Sequence, residues 1–208
     1  MNPILLGIIG TNLILSYKAF QDISFFRKYE FHIASIRAGE QIRMFSSAFL
    51  HADWAHLFFN MFTLYMFAPV VLGDMGNIPF LLIYVGSLIC GSLLTLYFHQ
   101  NDYSYRAVGA SGAVTGIIFS SILIEDRLMI FGFLPGSLYG FIYLLSSIYG
   151  MKAKSDNIGH TAHFGGAIGG YVITLSQRPI LFTENTFMVI LLAVPIVLLF
   201  FLAKSGKI

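Results

Sequence analysis

Charged residues are confined to short stretches of this chain, and long apolar stretches separate them. Seven windows contain no Asp, Glu, Lys or Arg: 1–17, 54–73, 75–101, 107–124, 128–151, 157–177 and 185–203. A helix of about 20 apolar residues crosses the hydrocarbon layer of a bilayer, and seven windows near that length cannot all be surface helices of a soluble domain. The pattern predicts an all-α, polytopic transmembrane helical bundle with one helix near each window.

Composition supports this class and excludes others. Hydrophobic residues make up 57% of the chain and charged residues 11%, and the net charge is only +2. A water-soluble domain is excluded, and without a basic or acidic field nucleic acid is not expected as a partner. The single cysteine, Cys90, excludes an internal disulfide and any CxxC motif.

Residues 18–53 form the only long polar stretch between two windows, and aromatic and basic side chains alternate within it. This mixture predicts a partly helical insert in the headgroup layer, with a flexible loop as the alternative. The other connections are short, so residues 1–208 are expected to form a single membrane domain. Window 1–17 is expected to be a retained helix, because it lacks the basic start and cleavage site of a signal peptide.

Polar residues interrupt the apolar windows, and four of them stand out near the beginnings of their windows. They are His56 and Asn60 in the second window, Ser111 in the fourth and His163 in the sixth. If every window spans the membrane once, even-numbered helices enter it from the same face. Because ionisable groups are costly in a membrane, we expect the four residues to share one submerged functional site.

The local spacing around these residues suggests how they act. His56 and Asn60 are four residues apart and share one helix face. Ser111 follows Gly109 and Ala110 at a predicted helix start, where unpaired backbone N–H groups favour a developing oxyanion. The alternatives are interhelical hydrogen bonds for the pair and an N-capping role for the serine.

His163 lies on a glycine-lined helix face, because Gly166 and Gly170 follow it by three and seven residues. Gly112 and Gly116 form a similar edge in the fourth window. Small residues let helix backbones approach closely, so the spacing predicts that the fourth and sixth helices pack through these glycines.

Metal binding is an alternative role for the histidines. His160 and His163 are three residues apart, and His56 could be a third ligand, but no Asp, Glu or Cys accompanies them, so we predict no metal. The remaining histidines lie in loops or at window edges, where solvent exposure is expected: His32, His51 and His99.

A serine, a histidine and a separate His/Asn pair at one depth satisfy the needs of acyl transfer, namely nucleophile, general base and oxyanion donors. No carboxylate is present at that depth. The sequence therefore predicts a Ser111–His163 dyad, in which packing orients the imidazole.

In these motifs the chain resembles the rhomboid intramembrane serine proteases. The matching motifs are Arg43, His51, His56-x-x-x-Asn60, Gly109-Ala110-Ser111-Gly112, Ala162-His163-Phe164-Gly165-Gly166 and Gly170. The resemblance implies that Ser111 is the nucleophile, His163 its base, and the Ser111 amide, His56 and Asn60 the oxyanion hole. It also implies a six-helix core plus one C-terminal helix, a membrane-embedded insert and a lateral gate at the fifth helix. We expect Gly109 and Ala110 to bind substrate, and no cofactor to be needed.

Three positions depart from the family pattern: Thr115, Ile42 and Leu72, the last of which stands where members often carry a glutamate. Thr115 stands where many members carry an aromatic residue that stacks on the catalytic histidine, so weaker orientation of His163 is expected. Ile42 replaces the tryptophan that often precedes the loop arginine, so weaker anchoring of the insert is expected.

The expected partners are transmembrane protein substrates and the lipid bilayer, and the expected location is the cell membrane. Ten of the twelve Lys and Arg residues lie on the side of the first, third and fifth loops and the C-terminus. The positive-inside rule then places the site on the cytoplasmic face, whereas the resemblance implies the outer face. An inactive relative that binds membrane clients is the alternative function, and a transporter is disfavoured because no inverted repeat appears.

Overall fold

The computed structural model describes residues 2–153 and 159–207 and shows a bundle of helices, which confirms the predicted class. The helices are α1 (Pro3–Gln21), α2 (Ile23–Tyr29), α3 (Ile33–Arg37), α4 (Arg43–Ser46), α5 (Trp54–Met75), α6 (Asn77–His99), α7 (Ser111–Ile124), α8 (Gly136–Ala153), α9 (His160–Gln177), α10 (Leu181–Glu184) and α11 (Thr186–Lys204). A 3₁₀ turn covers Ser47–Phe49, and two antiparallel pairs join β1 (Phe31–His32) to β2 (Arg106–Ala107) and β3 (Met129–Ile130) to β4 (Leu134–Pro135). Residues 1, 157 and 158, at the ends of two predicted windows, lie outside the described residues.

The long helices differ in whether they can cross a membrane alone. Among the described residues, α1, α5, α6 and α11 are long and apolar enough to do so. With 14 residues, α7 is about 21 Å long, shorter than the roughly 30 Å of hydrocarbon. Its residues from Gly112 to Leu123 are all buried, so this helix is surrounded by protein rather than lipid. The expectation of seven spans therefore holds by length and composition for four helices.

Large apolar side chains from several helices pack around α7. The fully buried ones include Leu64, Phe80, Ile83, Ile117, Phe119 and Phe164. They come from α5, α6, α7 itself and α9, and each stabilises the bundle through van der Waals contacts with its close-packed neighbours. The first residue of α7, Ser111, therefore lies at the end of a rigid central element.

Two glycine stripes hold α9 between α6 and α7. Gly165 and Gly169 face α6, where a Cβ atom at position 169 would lie 2.8 Å from the Cα atom of Ser87. Gly166 and Gly170 face α7. The glycine spacing predicts close packing of α7 and α9, and the structure shows it. In addition, α9 makes a second close contact, with α6.

Ionic contacts join the insert between α1 and α5 to the chain just before α7. The buried Glu30 pairs with Arg106 of β2 and, at 3.2 Å, with Arg27. The Arg43 guanidinium donates to the backbone carbonyls of Arg27 at 2.7 Å and Glu30 at 3.1 Å. Arg43 thus anchors the insert although its neighbour Ile42 is exposed. The position of the insert in the headgroup layer stays a prediction.

Candidate active site

The segment before α7 has an unusual backbone that starts the helix at Ser111. Gly109 has φ +129°, a conformation that side-chain-bearing residues rarely adopt, and its amide donates to the Ser47 carbonyl at 3.0 Å. Ala110 is fully buried, and its amide donates to Nε2 of His51 at 3.4 Å. These contacts fix the start of α7, where the first backbone N–H groups have no partner within the helix and the dipole is positive.

His56 and Ser111 border the same small space beside Gly109. A Cβ atom at Gly109 would lie 2.8 Å from Cε1 and Nε2 of His56 and 3.7 Å from Oγ of Ser111. Nδ1 of His56 accepts a hydrogen bond from the Ala52 amide at 3.4 Å, which leaves the proton of a neutral ring on Nε2. Any side chain at position 109 would fill this space, so glycine is required there for volume as well as for φ.

Asn60 lies one helical turn after His56 and is buried. Its Nδ2 atom donates to the His56 carbonyl at 2.9 Å. An amide nitrogen carries two hydrogens, so this bond fixes the group while the second hydrogen can be donated elsewhere. His56 and Asn60 therefore lie on one face of α5, as predicted, and the Asn60 side chain is held against the His56 backbone.

The helices that carry Ser111 and His163 meet at the residues next to them. A Cβ atom at Gly112 would lie 3.2 Å from the Ala162 carbonyl oxygen, and one at Gly166 would collide with the Gly112 carbonyl. Ser111, His56 and His163 are all partly exposed rather than sealed in the core. The four predicted residues are thus carried by three helix segments that meet at one end of α7.

Residues 38–180 match the family model described as the rhomboid domain, which covers more than half of the chain. The chain belongs to the rhomboid family. Together with its apolar helices, this membership makes it an integral membrane protein.

Individual relatives differ in how much of their length this rhomboid matches. It is 34% identical over 146 residues to the rhomboid protein YdcA of Bacillus subtilis (strain 168), covering 65% of this chain and 67% of that protein. Rhomboid protease GluP of the same strain is 32% identical over 138 residues, which cover 65% of this chain but 26% of GluP. RHOMBOID-like protein 12, mitochondrial, of Arabidopsis thaliana is 24% identical over 185 residues, covering 79% of this chain and 55% of that protein.

An aromatic ring from α8 lies against His163 in this rhomboid. The Tyr143 and His163 rings are stacked, with centroids 6.0 Å apart and an interplanar angle of 27°. The Tyr143 hydroxyl lies 3.2 Å from Oγ1 of Thr115. The sequence-based expectation of weak orientation considered only position 115 and missed this ring, because one tyrosine among many aromatic residues in apolar windows carries no distinguishing signal.

The expectation that His51 is exposed to solvent is wrong. Its exposed fraction is 0%, and Oγ of Ser16 lies 2.8 Å from its Nδ1 atom. The His56 ring meets it edge-on at 5.0 Å. Burial, with a smaller contribution from His56, lowers the pKa of His51 to about 3, so its imidazole is neutral and can accept a hydrogen bond from the Ala110 amide.

Among the described residues, the histidines near the site are not grouped with other potential metal ligands. Within residues 2–153 and 159–207, no three His, Cys, Asp or Glu side chains are grouped so that they could hold a metal ion. His160, a ligand in the metal alternative, packs its ring against Gly150 of α8, and its centroid lies 6.4 Å from that of His163.

Proposed function

We propose that this rhomboid is an intramembrane serine endopeptidase with Ser111 as nucleophile and His163 as general base. The observation that carries the proposal is the backbone contact between α7 and α9, in which Gly112 meets Ala162. These are the residues directly beside Ser111 and His163. A nucleophile and its base must come within hydrogen-bond reach of each other, and such a contact between helices permits that approach.

The proposed reaction needs only groups of this chain and water. The His163 imidazole takes the proton of Ser111 as Oγ attacks the substrate carbonyl carbon, and then gives it to the leaving amine. A water molecule, deprotonated by the same imidazole, hydrolyses the acyl ester, restores the serine and releases the carboxylic acid. The scheme uses no metal ion and no organic cofactor.

Three donors would stabilise the negative oxygen of the tetrahedral intermediate. The Ser111 amide belongs to the first turn of α7, where N–H groups point out of the helix. Nε2–H of His56 faces the space beside Gly109, and Asn60 has a second amide hydrogen after its bond to the His56 carbonyl. Donors of this kind are worth most when they are fixed before the reaction, and the contacts of α5 and α7 fix all three.

Substrates of the proposed enzyme are transmembrane proteins that reach the site from within the bilayer. A peptide bond inside an intact helix is hydrogen-bonded and shielded, so we expect cleavage beside small, helix-weak residues. The Gly109–Ala110 backbone would line the bound substrate. We place the protein in the cell membrane, which fractionation of cells that express a tagged chain would test.

Cleavage of a reporter tests the proposal. A membrane protein with a glycine- and alanine-rich transmembrane segment is mixed with the purified chain in detergent or vesicles, and its fragments are measured. We expect cleavage by the wild type, none by Ser111→Ala, and normal cleavage by Ser104→Ala, a matched change at an exposed serine. Equal cleavage by Ser111→Ala and the wild type would contradict the proposal.

A further inference from the structure

Tyr143 on α8 belongs to an aromatic column that ends at His163. Its ring is stacked on that of His163 at 6.0 Å and on that of Tyr139 at 5.8 Å, with interplanar angles of 27° and 29°. Phe119 of α7 contacts the same ring at 6.2 Å. Stacked rings hold each other's planes, so the Tyr143 ring has a fixed orientation next to the imidazole.

The hydroxyl of Tyr143 is tied to the helix that carries Ser111. Oγ1 of Thr115 lies 2.7 Å from the Ser111 carbonyl oxygen, which can only accept, so the single threonine proton is used there. The tyrosine hydroxyl, 3.2 Å from the same Oγ1 atom, is then the donor to Thr115. One side chain of α8 therefore contacts the imidazole of α9 through its ring and the backbone of Ser111 through Thr115.

A serine–histidine dyad needs a group that holds its imidazole in the productive orientation. We propose that Tyr143 is that positioning residue: it holds the His163 ring plane while its hydroxyl is fixed through Thr115 to Ser111. The inference rests on the proposed function of Ser111 and His163. It assigns a role to a residue outside the family motifs quoted above, and it explains how the site is ordered with threonine at position 115.

Three variants separate this role from packing and from substrate binding. Tyr143→Leu removes the ring, Tyr143→Phe keeps the ring without the hydroxyl, and Tyr149→Leu is the matched control, because Tyr149 lies on the same helix and is 73% exposed. Two quantities are measured for each: the rate at which a small fluorophosphonate labels Ser111, and kcat and KM for the transmembrane reporter. The small probe needs the dyad but no substrate helix.

We expect Tyr143→Leu to lower both the labelling rate and kcat about tenfold with little change in KM, as loss of a stacked ring implies. Tyr143→Phe should recover most of both rates, since the stack is kept, and Tyr149→Leu should match the wild type. If Tyr143→Leu does not fold, Tyr143→Met, which has a side chain of similar reach without a ring, takes its place.

The inference is overturned if the ring-less variant labels at the wild-type rate, or if only KM for the reporter changes, since Tyr143 would then contact substrate. It is also overturned if Tyr143→Phe is as slow as Tyr143→Leu. Failure of the proposed function would give a different result. The wild type would then either not be labelled at all or be labelled to the same extent as Ser111→Ala.

Discussion

Two helices reach His163 in opposite ways. α7 meets α9 through backbone atoms, because Gly112 and Gly166 leave no side chains between the two helices. α8 reaches the same histidine with a bulky ring, that of Tyr143. The glycine contact sets how far apart the two backbones lie, and the ring contact sets how the imidazole is turned. In the proposed dyad, different residues therefore supply distance and orientation, so the two can be changed separately.

The largest effect on kcat is expected when a residue of the proposed dyad is itself removed. Ser111→Ala and His163→Ala should each lower kcat by roughly 10³-fold or more, and the double variant should be scarcely slower than either, because the two residues act as a unit. Cleavage kinetics with the purified variants measure this. Additive losses in the double variant would mean that the two side chains act in separate steps.

A change at Asn60 tests the oxyanion site while leaving both helix contacts to His163 in place. Asn60→Ala should lower kcat by about 10²–10³ with little change in KM, since the donor acts on the charged intermediate. The matched control is Asn12→Ala, because Asn12 is also buried and also donates to the carbonyl four residues earlier, at 2.9 Å. A rise in KM with unchanged kcat would make Asn60 a substrate-binding residue.

Gly166→Val breaks the backbone contact and leaves the ring contact. A side chain at this position would collide with the Gly112 carbonyl, which is part of the α7 backbone, so the helices would have to separate. We therefore expect a loss of about 1–3 kcal/mol in stability and a fall in kcat. Unfolding in detergent and reporter cleavage measure the two effects. Gly7→Val is the control, because a Cβ atom at Gly7 of α1 has no neighbour within 4 Å.

Full activity and unchanged stability of Gly166→Val would contradict the proposed contact between α7 and α9.

Gly140 lies on α8, the fifth long helix, where the resemblance implies a lateral gate. A substitution there would be expected to change substrate entry alone, but the position is closely packed. A Cβ atom there would lie 3.0 Å from Cδ2 of Leu192 on α11 and 3.2 Å from Cδ1 of Ile122 on α7.

The two contacts also differ in whether the sequence could predict them. Glycines at intervals of four residues, as at Gly166 and Gly170, encode a close helix contact in the local sequence, and the α7–α9 packing follows from it. The stack of Tyr143 on His163 depends on the angle and depth at which α8 docks. No local pattern specifies that docking, and tyrosines are common in the apolar windows.

His51 shows the same limit for a polar residue. Its place at the edge of an apolar window suggested exposure, but Ser16 from α1 and Ala110 before α7 close over it from distant parts of the chain. The charge-free windows, by contrast, predicted the helical class correctly, because each long helix carries its own apolar signal.

The effect expected to be smallest for kcat concerns His51, which supports the start of α7 rather than either contact to His163. The pKa of His51 is about 3 in the folded protein, whereas an unfolded histidine has a pKa of about 6.5. As the pH falls, the unfolded chain therefore binds a proton at His51 before the folded protein does. The stability that comes from burying neutral His51 is fully present above pH 6.5 and is lost as the pH falls towards 3. The slope is at most about 1.4 kcal/mol per pH unit for one proton.

Unfolding measured from pH 7 to pH 4 checks this expectation. His51→Gln should be less stable at neutral pH but should lack this part of the pH slope, because the amide does not titrate. Parallel curves for the wild type and His51→Gln would mean that His51 titrates equally in the folded and unfolded states.

The central claim is that His163 activates Ser111 across the α7–α9 contact, and the site and rate of covalent labelling test it most directly. The purified protein is treated with a fluorophosphonate, and the modified residue is located by peptide mass spectrometry in the wild type, His163→Ala and Ser111→Ala. We predict one label, on Ser111, in the wild type, and loss of that label in both variants. Labelling of another residue, or wild-type labelling of Ser111 in His163→Ala, would contradict the account.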